Sequence, residues 1–133
     1  MEYSEFITHV QTLTQSDSLE NAVKATRATL ETLKEHLPQE EVEELAAQLP
    51  QELSECLHNE AIVNNQSFPL LEFIERTSQK ENIEPTTAAM HVRAVFAVLE
   101  NAINPEIFAR FHKYFPHDYE ELFTISSTSE MPA

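Results

Sequence analysis

Apolar residues recur at helical spacing along nearly the whole chain. Phe6, Val10 and Leu13 form a stripe at steps of four and three, which predicts a first helix in SEFITHVQTL. The polar break TQSDS follows, and Asp17 or Ser18 can accept the free amides of the next helix. That helix is predicted from Leu19 to His36, with Val23, Thr26, Leu30, Leu33 and Leu37 inward and Ala22 and Ala25 beside them. Pro38 stops it. A shorter helix follows in QEEVEELAAQLP, with Val42, Leu45, Ala46 and Leu49 as its seam and its glutamates largely on the outer side. Pro50 then opens the short helix PQELSECL as its first helical residue.

From Leu70 the same order returns. LLEFIERTSQ places Leu70, Phe73, Ile74 and Thr77 inward, and NIEP breaks it. Glu84 is the expected cap and Pro85 the first residue of a long helix reaching about Ala102, with Ala89, Val92, Val95, Phe96, Leu99 and Ile103 inward. Phe108, Phe111 and Phe115 follow, and Pro116 opens PHDYEELF. The displacement that lays Thr26 on Val92 carries the two halves over each other without a gap. Arg27 falls on Arg93, Leu30 on Phe96, Leu45 on Phe111, Pro50 on Pro116 and Glu55 on Glu121. The expected fold is therefore all-α, with about eight helices as two tandem four-helix repeats related by a pseudo-twofold. The expected organisation is one domain over residues 1–123, with repeat one at 3–57, a linker at 58–68 and repeat two at 69–123. A flexible tail is expected at 124–133.

These residues resemble the domain-of-unknown-function 2267 family of bacterial helical proteins. The likeness is carried by EFITHV, by TRATLETLKEHLPQEEVEELAAQLPQEL and by EFIERT, VRAVFAVLENAIN and YFPHDYEELF in the second half. Arg27, Ala28 and the run Leu45 to Pro50 match its common pattern. The resemblance spans residues 3 to 123. It implies an all-helical two-repeat fold and brings no activity with it. Relatives often carry glycine in the turns, where this chain has none.

Composition narrows the chemistry. The 133 residues include no glycine, so a phosphate-cradling P-loop, a GxGxxG turn and a GxSxG elbow are excluded. With 23 acidic residues against 8 basic ones, the formal net charge is −15. Such a surface repels phosphate backbones and anionic lipid, so neither nucleic acid nor membrane is an expected partner. The opening MEYSEFITHV has no basic region followed by an apolar run, so no signal peptide is expected and the protein is placed in the cytoplasm. Cys56 is the single cysteine and is expected as a core thiol.

No catalytic constellation emerges, and no cofactor is implied. The six histidines are His9, His36, His58, His91, His112 and His117, and none has HExxH spacing. They are expected at the surface or its boundary, with no metal site, although a carboxylate can join a histidine in space. Glu40, Glu41, Glu43 and Glu44 are expected to form a solvated face that could meet a partner. Arg27 and Arg93 occupy equivalent places. They are expected either to bridge Glu55 and Glu121 as structural ion pairs or to converge on an anionic ligand. The second copy is richer in aromatics, with Tyr114 expected to face outward. The favoured function is a non-enzymatic interaction or adaptor domain with an unknown protein partner. The alternative is a small anionic-ligand sensor using Arg27 and Arg93. Pairing with a second copy through apolar edges is a further expectation.

Overall fold

The computed structural model describes residues 2–57, 68–115 and 117–119. Within them the chain is all-helical, with seven α-helices and three short 3-10 turns after α4 and α7. The helices are α1 (Tyr3–Thr14), α2 (Leu19–His36), α3 (Gln39–Gln48), α4 (Gln51–Ser54), α5 (Leu70–Glu81), α6 (Pro85–Ala102) and α7 (Pro105–Phe111). The described part of the helix expected after Pro116 is a single 3-10 turn, His117–Tyr119, and the rest of it lies outside the described residues. So do positions 58–67 of the expected linker and all of the expected tail. Among the described residues, no helix is long and apolar enough to cross a membrane.

The helix ends follow from local chemistry. Glu2 and Glu5 cap α1 reciprocally, each carboxylate accepting the other's backbone N–H. The Ser18 hydroxyl accepts the Asn21 N–H at the start of α2. Leu37 is extended because the next residue is a proline, and α2 ends there. Pro85 and Pro105 stand within the first helical positions, where no amide donor is needed. Pro50 stands one place earlier than expected, as the cap preceding α4. Without glycine, α1 and α5 end on Gln15 and Asn82 in the left-handed region, at φ 55° and 60°. Asparagine tolerates that conformation well, whereas glutamine pays about 1 kcal/mol for it.

Helices α1 and α2 pack together, as do α5 and α6. Each pair also crosses the other: α1 lies on α6, α5 lies on α2, and α2 lies against α6. One continuous core results, drawing Phe6, Leu30 and Leu45 from the first half and Phe73, Phe96 and Phe111 from the second. Phe68, placed at the end of the expected linker, is part of that core. The α1 stripe is rotated from its expected position. Phe6, Ile7, Val10 and Thr14 face inward while Leu13 is 54% exposed. Thr14 tolerates burial because its hydroxyl donates to the Val10 carbonyl, 2.8 Å away.

Where α2 meets α5, two buried hydroxyls touch. The Oγ1 atoms of Thr77 and Thr32 are 3.1 Å apart, and Thr32 also reaches the Ala28 carbonyl at 2.8 Å. Thr26 is fully buried on the same helix, yet among the described residues its Oγ1 has no hydrogen-bond partner.

Candidate functional site

A cavity of about 220 Å³, lined mostly by polar residue types, lies where the α1–α2 turn meets the α5–α6 turn. Its first side is Ser16, Asn21 and Lys24, and its second is Glu81, Ile83, Thr87 and His91. Glu81 ends α5 at a position that continues the inward stripe of Phe73 and Thr77, so the fold buries its carboxylate to 6% exposure. His91 comes from the second turn of α6. Its Nδ1 stands 2.9 and 3.2 Å from the two Glu81 carboxylate oxygens. An ionised carboxylate only accepts, so Nδ1 carries the hydrogen. In the neutral ring that leaves Nε2 as an acceptor, and it has no partner among the described residues.

The hydroxyl on the opposite side is also oriented. Thr14 Oγ1 donates to the Val10 carbonyl and lies 2.7 Å from Ser16 Oγ, so Ser16 donates to Thr14. Ser16 is left with acceptor lone pairs on a side chain that lines the cavity. The site thus combines an ammonium (Lys24), a buried carboxylate (Glu81), an oriented imidazole and neutral amide and hydroxyl groups. Among the described residues, no group of three or more His, Cys, Asp or Glu comes together in a way that could hold a metal ion.

A second polar centre is structural. His36 was expected at the surface or its boundary, but it is 2% exposed. The reason is that its ring is aromatic and its two nitrogens are both used. Nδ1 accepts the Phe68 N–H at 3.3 Å, so Nε2 carries the hydrogen and donates to the Tyr114 carbonyl at 2.7 Å. The ring stacks on Phe115 with centroids 4.5 Å apart and meets Phe68 edge-on at 4.9 Å. Around it, Tyr119 donates to the Phe68 carbonyl, and the Leu70 N–H at the start of α5 donates to Asp118. Arg76 covers the Phe68 ring at 4.0 Å while pairing with Glu35 and Glu72.

The remaining candidate residues are dispersed. Arg27 is exposed and acts on the Cys56 thiol, and among the described residues no ion pair joins it to exposed Glu55. Burial nevertheless pushes the Cys56 thiol up, against the lowering pull of Arg27. Arg93 is exposed and flanks a different hollow, apolar and shallow, beside Leu13 and Met90. Glu121 lies outside the described residues. The run on α3 divides. Glu40 and Glu43 are exposed, but Glu41 is buried and accepts from Arg110 and from the Tyr114 hydroxyl. Glu44 pairs with the same Arg110. Tyr114 is therefore half-buried against α3 and not turned outward.

A family model described as "Uncharacterized conserved protein (DUF2267)" matches residues 3–122. No curated protein matches the chain.

Proposed function

The chain belongs to the DUF2267 family, and we propose that it is a non-enzymatic binding domain whose ligand site is the cavity between the α1–α2 and α5–α6 turns. The observation that carries this reading is Glu81. A buried carboxylate is costly to desolvate, and Glu81, at 6% residue exposure, holds a histidine that lines the same cavity. Lys24, Glu81 and His91 line this cavity, whereas Arg27 and Arg93 stand in different surroundings. The orientation of Ser16, whose hydrogen goes to Thr14 and not to a base, supports the non-enzymatic reading. A screen of small polar fragments by ligand-observed NMR tests the site. Hits are expected to shift the amides of Lys24, Glu81 and His91 and to weaken at least tenfold in His91→Phe. Hits that map elsewhere on the protein, or no hits, refute it.

The packing supports an internal duplication behind this site. Exchanging α1 with α5 and α2 with α6 turns the α1–α6 contact into the α5–α2 contact and returns α2–α6 to itself. Such a set of contacts is what a pseudo-twofold requires. Under the displacement that lays Thr26 on Val92, Asn21 falls on Thr87, and both line the cavity. The cavity then sits where two copies of one turn face each other.

A second reading concerns the exterior. Glu40 and Glu43 remain exposed on a chain of net charge −15, which favours a basic protein partner. Reversing both to lysine is expected to remove such a partner from native co-purification. An unchanged partner set would reject α3 as the docking face.

A further inference from the structure

We infer that the cavity takes a small zwitterion, a molecule in which an ammonium and a carboxylate are joined by a few carbons, as in a free amino acid. The inference rests on the cavity being the ligand site and names what enters it. Lys24 on α2 supplies a cation that only donates, and Glu81 on α5 supplies an anion that only accepts. They stand on facing elements, so one ligand bearing both charges can satisfy both. Ser16, its hydrogen committed to Thr14, adds acceptor capacity suited to an ammonium. His91 Nε2, in the neutral ring, adds another.

Charge at long range selects the same class. A net charge of −15 opposes the approach of a simple anion, and an isolated cation would be held at the acidic exterior as readily as in the cavity. A ligand of zero net charge escapes both effects and gains from paired charges only where Lys24 and Glu81 occur together. Size agrees. At about 220 Å³ the space is below the range of drug-sized pockets, and it fits a ligand of roughly ten non-hydrogen atoms. Ile83 is the apolar wall, which suits a short hydrocarbon side chain.

The test is an amide-detected NMR titration with the common L-amino acids, one at a time, with propionate and ethylamine as single-charge controls. At least one amino acid of small or medium side chain is expected to shift the amides of Lys24, Glu81 and His91 saturably. Each control is expected to bind at least tenfold more weakly. Lys24→Met, an exposed substitution that leaves the core untouched, and Glu81→Gln are each expected to weaken the amino acid at least tenfold. Propionate or ethylamine binding as tightly as the best amino acid overturns the zwitterion while leaving the cavity site intact. Failure of every amino acid also overturns the zwitterion, and the fragment screen then decides separately whether the cavity binds anything.

Discussion

The Nε2 of His36, at the end of α2, lies 2.7 Å from the carbonyl oxygen of Tyr114, a residue 78 positions later in the chain. With the Phe68 N–H on its other nitrogen, this one ring ties the close of the first long helix to the chain entering α5 and to the chain leaving α7. Burial lowers its pKa from the ordinary 6.5, only partly opposed by the bond to Tyr114. The unfolded chain therefore takes up the proton first. The stabilisation from neutral His36 is complete above pH 6.5 and is lost as the pH falls from 6.5 through the lowered value. Urea unfolding at stepped pH is expected to show a falling midpoint in that window, and His36→Gln is expected to flatten it. His36→Phe keeps the stacking but strands the Phe68 N–H, and should cost about 2 kcal/mol at neutral pH.

Thr26 gives a prediction of opposite sign. Its hydroxyl is buried without a partner among the described residues, and the displaced register puts Val92 at the matching place. Thr26→Val removes an unpaid desolvation at nearly constant volume and is expected to stabilise the protein by about 1 kcal/mol. Thr32→Val, which removes a partnered hydroxyl, is expected to destabilise it. Thermal melts of the two variants side by side check the contrast.

Arg110 binds Glu41 and Glu44 on α3 from its place on α7, but its side chain is 39% exposed. Solvent screens much of that attraction, so a double-mutant cycle between Arg110→Met and Glu41→Gln is expected to return a coupling of about 1 kcal/mol. The coupling should shrink in 1 M salt. Glu41→Ala alone should cost more than Glu43→Ala, because only Glu41 is held by both Arg110 and Tyr114.

Much of the helical framework was legible from spacing and punctuation. Leu19–His36 begins after Ser18, one of the two expected caps, and stops before Pro38, and Pro85–Ala102 begins at its proline, because capping and proline chemistry act over one turn. The polar contacts were not legible, because each is made by tertiary packing. His36 reaches Phe68 and Tyr114, and Glu41 reaches Arg110, across distances in sequence that no periodicity encodes. Glu81 and His91 are separated by the Asn82 turn, so they share no helical face. One signal was present: Glu81 sits four places after Thr77, on the inward stripe of α5, where a solvated carboxylate does not belong. The exposure of Leu13 has the converse reason: Thr14 can take the inward place because its hydroxyl is satisfied by its own helix.

The role of Glu81 is tested most directly by a ¹H–¹⁵N spectrum of the histidine side chains. His91 is expected to carry its hydrogen on Nδ1 with an unprotonated Nε2 in its neutral form, to lose that bias in Glu81→Gln, and to shift when a cavity ligand is added. His36 should show the opposite tautomer and stay unmoved by ligand. A His91 ring with mixed tautomers, indifferent to both Glu81→Gln and ligand, would contradict the account.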